Sequence, residues 1–576
     1  MRALTRWFRR PPRVVWHPEY RLPLTSLLAR TGLDPRRPEL VVDALEALHV
    51  LGEAELLVPD RAQWNELGRV HDEAWLEALT QPETLASIFA VEPWDVPVDT
   101  VMDSLRRACG GTILAARTAL ADKGPVLNLA GGFHHAGPDR GAGFCALNDI
   151  AVAVAAVRAS GFAGAVGVLD LDAHPPDGLA ACLKGTAWIG SISGPGWASP
   201  SGVDEIVLPR GSGDDAYHAA LTALIGRMPR AALWFVIAGG DVREGDPIGT
   251  LAVSEAGVRR RDLAVARALT GLPSVWVPGG GYRADAWRVL THTALVLAGE
   301  RTLTLRPEFD PMRSRFRRIS RGLGDLFGEV RLDEEDVDAL LGPKRERTAR
   351  MLGLYTRPAI ELALERFGLL SQVRRLGYGE LRVELDRTDL GDRFRLFGTA
   401  AGAEHLLAES VLGRDKVGDD PVLFVHWLTL RHPLGAFRAG RPPLPGQQVP
   451  GLGLVREVGE LHRRVAERLG LAGVAMRPAW FHVAFTVRNH MQCVDPDEQG
   501  RFEALLRDLG GLPVAELSVA VREGRVRCND QPWAWPAPVM VEWVVPRPGE
   551  NARISAAKQH SSFTLATEVS GAPAGS

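Results

Sequence analysis

The segment Leu169–Gly178, which reads L-D-L-D-A-H-P-P-D-G, follows a short apolar run at 165–169 that is typical of a buried β-strand. Side chains alternate between the two faces of a strand, so Asp170, Asp172 and His174 should point the same way at its carboxyl end. Three ionisable groups at that position are costly unless an opposite charge compensates them. Because carboxylate and imidazole ligands together suit zinc, the segment favours a metal site. The alternative is a solvated strand end with helix-capping aspartates.

Three further apolar runs break at glycines and are followed at once by polar or aromatic side chains. They are V-L-N-L-A before G-G-F-H-H (126–135), W-F-V-I-A before G-G-D (234–241) and V-W-V-P before G-G-G-Y (275–282). In an open parallel sheet, ligands bind outside the carboxyl ends of the strands, where glycine lets the backbone approach a ligand closely. Four such strand ends supply aspartates, histidines and one tyrosine, which is what a metal-hydrolase cleft requires. Coincidence is therefore the weaker explanation.

The order of the predicted elements indicates more than one domain. Helical periodicity dominates from about 14 to 125, and strands then alternate with helices to about 300, which indicates a parallel α/β sheet with right-handed crossovers. A chain of 576 residues is too long for one ordinary core. We expect a basic N-terminal arm at 1–13 and an α/β catalytic domain at 14–304. A charged linker with some helix should follow at 305–348, then a smaller α+β domain at 349–545 and a flexible tail at 546–576.

Composition argues against several classes of function. A net charge of −3 at pH 7 and an isoelectric point near 6.6 argue against general nucleic-acid binding. No apolar run approaches the roughly 20 residues needed to span a bilayer, and the basic N-terminus leads into no apolar secretory segment. Five scattered cysteines, an odd number, fit a reducing compartment without a disulfide framework. The sequence therefore predicts a cytoplasmic protein with no membrane or nucleic-acid partner.

Seven motifs follow one another between about 14 and 300. They are G-G-F-H-H (131–135), G-F-C-A-L-N-D-I (143–150), D-L-D-A-H-P-P-D-G (170–178), V-L-P-R-G-S-G-D (207–214), A-G-G-D (238–241), G-D-P-I-G (245–249) and G-G-G-Y (279–282). In order and spacing they resemble the histone deacetylase superfamily, which includes bacterial acetoin-utilisation proteins and acetylpolyamine amidohydrolases. The segment H-H-A-G-P-D-R-G-A-G-F-C, with D-L-D-A-H, is most similar to class IV deacetylases. This resemblance implies an arginase/deacetylase fold, an open parallel sheet with helices on both faces.

The resemblance also implies a catalytic zinc ion. Its ligands would be Asp172, His174 and Asp241, with water and substrate completing the coordination shell. His135 would be the general base that takes a proton from the activated water and returns it to the departing amine. Tyr282 would donate its hydroxyl to the developing oxyanion.

Supporting roles follow from the same resemblance. His134 would help to balance charge beside the general base, and Asp170 and Asp177 would hold the two adjacent histidines in the required tautomer and orientation. Phe144 would line the narrow channel for an acyl-lysine or acyl-amine arm. Asp170 and Ser191 would help to form a site for a monovalent cation such as K⁺.

Two features depart from the family pattern. Where the family usually has a second His and a Gly before the aspartate, this chain has Pro175-Pro176, which fix φ and remove two backbone donors beneath the metal. The sequence does not determine the path of this loop, and it therefore does not determine the shape of the pocket floor. The rim aspartate that grips the substrate backbone in some members has Asp95 as its nearest candidate, so peptide substrates are not assured.

The second domain is predicted to begin with a helix at 360–376 and to contain a long helix at 454–469. Strand-like segments are expected at 380–385, 393–397, 405–409, 422–430, 514–521 and 538–545. Gln448, Gly451 and Gly453 fit the Q-x-x-G-x-G loop of GNAT acetyltransferases, and the order of elements also resembles a GNAT-like fold. That resemblance implies that backbone N–H groups and a helix N-terminus hold the pyrophosphate of acetyl-CoA. The alternative is ordinary turn and cap chemistry.

These observations predict a zinc-dependent deacylase that hydrolyses an acyl-amide bond through metal-activated water. Its substrate would be an acetyl-lysine or an acylated small amine or polyamine. One alternative is a catalytically silent deacetylase-like module that binds acylated ligands, which a floor blocked at Pro175-Pro176 would favour. The other is a bifunctional protein that couples deacylation to acyl-CoA binding. The acyl chain length and the oligomeric state stay open.

Overall fold

The computed structural model of the chain describes residues 13–24, 27–52, 55–300, 303–327, 350–437, 442–547 and 551–566. The chain divides into two compact units, Met1–Arg315 and Phe316–Ser576, called unit 1 and unit 2 below. The predicted N-terminal arm lies outside the described residues except for Arg13. Among the described residues, no helix combines the length and the apolar character needed to cross a membrane.

Unit 1 contains a sheet and the helices that surround it. Its strands are β1 (Arg13–Val15), β2 (Pro125–Asn128), β3 (Val166–Asp170), β4 (Trp188–Ser193), β5 (Val203–Val207), β6 (Leu233–Ile237) and β7 (Ser274–Val277). Its helices are α1 (Leu27–Thr31), α2 (Arg37–Ala47), α3 (Trp64–Leu67), α4 (Glu73–Ala78), α5 (Pro82–Phe89), α6 (Val98–Asp122), α7 (Asp149–Ala159), α8 (Asp177–Leu183), α9 (Asp214–Ile225), α10 (Glu255–Ala268) and α11 (Trp287–Leu297), with 3₁₀ turns at Pro18–Tyr20 and Pro93–Asp95.

The sheet of unit 1 has the order β1-β2-β7-β6-β3-β4-β5. Every neighbouring pair in it is parallel. The four strands predicted from sequence, β2, β7, β6 and β3, are consecutive in this order, so their carboxyl ends meet along one edge. The predicted open parallel α/β sheet is therefore confirmed. Sequence analysis assigned no strand to β1, β4 or β5.

Two central strands of this sheet are buried. Every residue of β3 and β6 is buried, as expected for parallel strands covered by helices. The longest helix, α6, packs against β2 and β7. Its Gly110 is required for close approach, because a Cβ there would lie 1.9 Å from the carbonyl oxygen of Asp60. This packing fixes the positions of the strands, and therefore of their carboxyl ends.

Helix α12 (Pro311–Phe327) runs across the boundary between the two units. It occupies part of the predicted charged linker, which lies outside the described residues from 328 to 348. Within unit 2, Phe316 of this helix is fully buried and stacks on Phe367 with ring centroids 4.7 Å apart. The start of the predicted linker is therefore packed structure.

Unit 2 is an α+β structure with two sheets. Its strands are β8 (Gly379–Thr388), β9 (Gly391–Ala400), β10 (Ala403–Val417), β11 (Asp420–Leu430), β12 (Gly473–Met476), β13 (Gln492–Cys493), β14 (Val526–Cys528), β15 (Gln531–Pro532), β16 (Met540–Trp543) and β17 (Phe563–Leu565). Its remaining helices are α13 (Arg357–Arg366), α14 (Leu369–Arg375), α15 (Val455–Arg468), α16 (Phe481–Val487), α17 (Pro496–Leu509), α18 (Val514–Arg522) and α19 (Asn551–His560).

The larger sheet of unit 2 has the order β13-β16-β12-β11-β10-β9-β8, and the smaller one β15-β14-β17. In the larger sheet, β11 and β12 form a parallel pair, and the other neighbours are antiparallel. This mixed sheet confirms the predicted smaller α+β domain. The resemblance to GNAT acetyltransferases stays a prediction.

Two predictions for unit 2 are wrong. The segment 514–521 is not a strand but most of α18, whose apolar residues Val514, Leu517 and Val521 also fit a helical stripe. Pro513 directly precedes it, where its fixed φ suits a helix start, and contacts with α16 complete the packing. The predicted helix at 360–376 is divided into α13 and α14 by Gly368, which has a φ of 81°.

The predicted flexible tail at 546–576 is also wrong over 551–566, which form α19 and β17. Helix α19 packs closely on α17, because a Cβ at Gly500 would lie 2.4 Å from the carbonyl oxygen of Ile554. Phe563 on β17 is buried in the core of unit 2. The small, polar residues of the predicted tail gave no sequence signal for this packing. Residues 567–576 lie outside the described residues.

Candidate metal and acid–base site

Two aspartates and a histidine converge at the carboxyl ends of β3 and β6. Strand β3 ends at Asp170, so Asp172 and His174 lie in the turn that follows it, and Asp241 lies just beyond the neighbouring strand β6. One potential ligand atom from each of the three predicted metal ligands lies within 4.8 Å of the others. His174 Nδ1 is 3.1 Å from Asp172 Oδ1 and 2.9 Å from Asp241 Oδ2. The structure therefore brings the three residues together.

The chemistry of this cluster fits a bound cation. Asp241 Oδ2 is buried and has no hydrogen-bond partner among the described residues, although it lies 2.9 Å from His174 Nδ1. Gly280 leaves room above the carboxylates, because a Cβ there would lie 2.6 Å from Asp241 Oδ2. The Gly280 N–H donates to Asp172 Oδ2 over 2.6 Å. A buried oxygen without a donor, beside one imidazole and a second carboxylate, fits the ligand set of zinc.

The protein's own charges are unbalanced at this point. Burial lowers the pKa of His174, but Asp172 and Asp241 outweigh it and raise that pKa to about 11. Burial and the charge of Asp172 raise the pKa of Asp241 to about 7. Two carboxylates thus compete for one imidazole, which is the electrostatic setting that favours a divalent cation.

Two adjacent histidines follow β2, and each is held by its own carboxylate. His134 Nδ1 lies 2.7 Å from Asp170 Oδ2, and His135 Nδ1 lies 2.7 Å from Asp177 Oδ1. Asp170 is the last residue of β3, and Asp177 is the first residue of α8. Each bond fixes a ring at Nδ1, so the Nε2 atom of each ring is left for other partners.

The environments of these histidines differ. Burial lowers the pKa of His134, but the charges of Asp170 and Asp172 reverse this effect and raise it to about 9. Burial and the neighbouring charge on His134 lower the pKa of His135. One ring is therefore set up to hold a proton, and the other is set up to be neutral and able to accept one.

A cavity of about 100 Å³ connects these groups. The predicted site residues that line it are His134, His135, Phe144, Asp172, His174 and Tyr282. The Phe144 and Tyr282 rings lie 5.4 Å apart between centroids. Burial, together with Asp172 and Asp241, raises the pKa of Tyr282, so its hydroxyl stays protonated. That hydroxyl makes no hydrogen bond with any described residue, and it is available as a donor.

The two prolines do not form the wall of this cavity. Pro175 and Pro176 are buried, but neither is among the residues that line it. They turn the chain directly into α8, where the Asp177 N–H donates to the Pro175 carbonyl over 3.0 Å. The Leu179 N–H then donates to the carbonyl of His134. The turn thus places Asp177 beside the histidines.

Two other predicted residues lie elsewhere. Asp95 ends the 3₁₀ turn Pro93–Asp95 and does not line the cavity. Ser191 is paired with Asp170 in the register of β3 and β4. Its buried Oγ has no hydrogen-bond partner among the described residues.

Three residues near the site were missed by sequence analysis. Asp149 accepts hydrogen bonds from the N–H groups of Gly132 and Phe133 and from Thr112 Oγ1, and so shapes the turn before the histidines. It belongs to the G-F-C-A-L-N-D-I motif, which was the available signal.

The other two lie on segments without a recognisable pattern. Arg37 lines the cavity and donates to the carbonyls of Gly279 and Gly280 over 2.9 and 3.3 Å. The Trp197 ring meets the His174 ring edge-on, with centroids 5.2 Å apart. Both contacts depend on tertiary structure, so no local spacing predicts them.

The loop predicted to bind acetyl-CoA lies in unit 2 between β11 and α15. The side-chain oxygen of Gln448 accepts a hydrogen bond from Arg431 over 3.2 Å. The N–H groups of Gly451, Leu452 and Gly453 donate to no acceptor among the described residues.

Comparison with known proteins finds relatives that each match about half of this chain or less. The family described as "Histone deacetylase domain" matches residues 32–194. An uncharacterized protein of a Picosynechococcus strain is 31% identical over 293 residues, which are 47% of this chain and 91% of that protein. Histone deacetylase 2 of Arabidopsis thaliana is 30% identical over 276 residues, which are 45% of this chain and 71% of that protein. A crystal structure of an HDAC homologue complexed with SAHA has 22% sequence identity and a TM-score of 0.44, and covers 51% of this chain and 86% of its own.

Proposed function

Because the chain belongs to the histone deacetylase family, which indicates a deacetylase-type hydrolase, we propose that unit 1 is a zinc-dependent deacylase. Its substrate would be an acyl-lysine or an acylated small amine or polyamine, whose amide bond it hydrolyses. The observation that carries this proposal is the convergence of Asp172, His174 and Asp241, with Asp172 and His174 lining the same cavity as His135, whose ring is held by Asp177.

Asp172, His174 and Asp241 would hold the zinc ion. When bound, the ion would supply Lewis acidity, polarising the scissile carbonyl and lowering the pKa of water. The N–H groups of Gly280 and Ala173 hold Asp172 Oδ2 and Asp241 Oδ1, over 2.6 and 3.0 Å. These bonds fix the orientation of both carboxylates before any ligand arrives.

The proton transfers are assigned to His135. Its Nδ1 is bonded to Asp177, so Nε2 is the atom that accepts a proton from the attacking water. The same atom then returns the proton to the nitrogen of the departing amine. His134, held by Asp170 and favouring its protonated form, would offset the carboxylate charge next to it.

Tyr282 and Phe144 would act on the substrate. The free, protonated hydroxyl of Tyr282 would donate a hydrogen bond to the carbonyl oxygen as negative charge develops there. The Phe144 ring, packed near that of Tyr282, would line the path of the acyl-amine arm. Asp170 and Ser191 are retained as candidates for a K⁺ site, supported by the unpartnered Ser191 Oγ.

The test is amine release from a panel of acylated lysines and polyamines by the purified full-length chain. We expect turnover that is lost on chelation and restored by Zn²⁺. His135→Ala should bind zinc as the native chain does and release amine about 10²- to 10⁴-fold more slowly. Binding of the acylated compounds without hydrolysis would instead favour the silent module, and an unchanged rate in the His135 variant would refute the mechanism.

A second candidate function, in unit 2, is acyl-CoA binding at Gln448, Gly451 and Gly453. It is supported by the three successive N–H groups of 451–453, which have no acceptor among the described residues, at the carboxyl end of β11, which pairs in parallel with β12. Acetyl-CoA should raise the melting temperature, and Gly451→Val should remove that shift. No shift at millimolar acetyl-CoA would refute this candidate.

A further inference from the structure

A second and larger cavity, of about 510 Å³, lies within unit 2 and shares no residue with the candidate metal site. Strands β9, β10 and β11 form one wall through Phe394, Leu412 and Leu428. Helices α13, α14 and α15 contribute further aliphatic side chains, such as Ile360 and Val373. Ligand-binding pockets are typically about 300–1,000 Å³ and mostly apolar. The unit 2 cavity therefore has the size and lining of a site for a hydrocarbon ligand.

One buried polar side chain interrupts this lining. His462 is on the apolar face of α15, with Val458 and Val465 one turn to either side, and all three line the cavity. It is only 7% exposed and makes no hydrogen bond or ion pair with any described residue. Burial lowers its pKa to about 4, so the ring is neutral, with one donor and one acceptor nitrogen. Because the ring lines the cavity, a bound molecule could supply the hydrogen-bond partner that the described residues do not.

A second polar group in the lining has the same deficiency. Ser410 lies on β10 and is buried, and its Oγ has no hydrogen-bond partner among the described residues. A serine hydroxyl and a neutral imidazole each offer one donor hydrogen. An occupant of this cavity should therefore carry acceptor oxygens on an otherwise hydrocarbon body.

Three arginines and one glutamate line the cavity, and the glutamate, Glu409, lies 3.7 Å from Arg393, so the charge of the lining favours an anionic end. Arg464 is paired with Glu460 and Glu467. Arg468 is exposed, lies 5.6 Å from the Tyr355 ring centre, and makes no ion pair with a described residue. An unpaired guanidinium at an apolar cavity suits a carboxylate or a phosphate.

We propose that the unit 2 cavity binds a fatty acyl group, presented as a free carboxylic acid or as a thioester. Its hydrocarbon chain lies against the aliphatic walls, its carbonyl or carboxyl oxygen accepts a hydrogen bond from His462, and Arg468 attracts the anionic end. Leu452 and Leu454, on either side of Gly453, also line the cavity, so a bound chain would lie beside the loop at 451–453. This inference is independent of the function proposed for unit 1.

A chain-length series tests the proposal by calorimetry on the full chain. Saturated acids and their CoA thioesters, from octanoyl to octadecanoyl, should bind up to about fourfold more tightly for each added methylene, until the cavity is full. Tighter binding of the thioesters would identify them as the ligand, and tighter binding of the acids would identify the free acid. No binding, or an affinity that rises without an optimum, would overturn the proposal.

Two variants locate the binding. Ala363 on α13 lines the cavity, so Ala363→Trp should fill it and abolish binding, whereas Ala515→Trp, on a half-buried position of α18 outside the cavity, should not. His462→Phe keeps the shape and removes the donor, so it should weaken binding about tenfold. It should also raise the melting temperature of the unliganded chain, because it removes a buried group without a partner. Unchanged affinity in His462→Phe would refute the hydrogen bond assigned to His462, and unchanged affinity in Ala363→Trp would refute the location of the site.

Discussion

The two cavities of this chain solve different problems. In unit 1, aspartates, histidines and a tyrosine stand among apolar residues around a cavity of about 100 Å³, and hydrogen bonds hold the carboxylates and imidazoles in place. In unit 2, a cavity of about 510 Å³ is lined largely by aliphatic side chains, and its buried His462 has no hydrogen-bond partner among the described residues. Chemistry needs charges held in place before the substrate arrives, whereas binding a flexible chain needs volume and few directional contacts. The two roles therefore differ in their structural signatures, which are polar side chains held by hydrogen bonds in unit 1 and cavity volume in unit 2.

Removing a metal ligand should have the largest effect and is the strongest test of the assignment of the unit 1 cavity to catalysis. Asp241→Ala should abolish turnover and bound zinc together, because Asp241 is one of three converging ligands at a fully buried position. Metal analysis and amine release on the same preparation check this. Retention of zinc at the native level would mean that these three residues are not the metal site.

Removing the proton-transfer or oxyanion group should separate turnover from metal binding. We expect Tyr282→Phe to reduce kcat by about 10²- to 10³-fold and His135→Ala by about 10²- to 10⁴-fold. Neither residue is a ligand, so zinc content should be unchanged. A Tyr282→Phe rate within twofold of the native rate would contradict its role.

A smaller effect should come from the residue that orients His135. Asp177→Asn retains the size of the side chain but loses the charge 2.7 Å from His135 Nδ1, and should cost about 10- to 100-fold in kcat. Asp139→Asn is the matched control, because its more exposed carboxylate pairs with Arg140 at 3.8 Å, as Asp177 does at 3.7 Å, and makes no hydrogen bond or ion pair with His135 among the described residues. Equal rates in the two variants would show that the pair does not orient the base.

The smallest expected effect concerns the stability of unit 2 in acid. Burial lowers the pKa of His462 from 6.5 to about 4, so the unfolded chain binds a proton first as the pH falls. The free energy of unfolding should therefore fall between pH 6.5 and pH 4, by at most about 3 kcal/mol from this group. His462→Phe should flatten that part of the profile in denaturant titrations. An identical pH slope in both proteins would contradict the burial of a neutral ring.

Sequence patterns predicted the part of the fold that carries the site. Strands β2, β3, β6 and β7 were predictable because each is an apolar run that ends at glycine or aspartate. Strand β5, which reads V-D-E-I-V, is a half-buried edge strand and has no continuous apolar run. Strand β1 has only three residues, too few for any periodicity. In 514–521 the apolar spacing fits both a strand and a helix, and packing against α16 decided the outcome.

The same distinction applies to the sites. The candidate metal site was predictable because aspartates and histidines at strand ends are unusual enough to be noticed. Arg37 and Trp197 reach it only through tertiary contacts, so their sequence neighbourhoods gave no signal. The unit 2 cavity is lined by leucines and valines that read like any core. Whether such side chains close on each other or leave a space depends on how α13 and α15 pack on the sheet.

The three glycines after β7 have a consequence for mapping tolerance to mutation. Side chains at Gly279 and Gly280 would meet Asp172 Oδ2 at 2.9 Å, and Gly281 has a φ of 140°. In a saturation scan these positions should score as intolerant as the metal ligands, although they supply no functional side chain. A map of intolerant positions would therefore include glycines that only make room around the site as well as the residues with functional side chains. Measuring the metal content of each variant would be needed to separate the two groups.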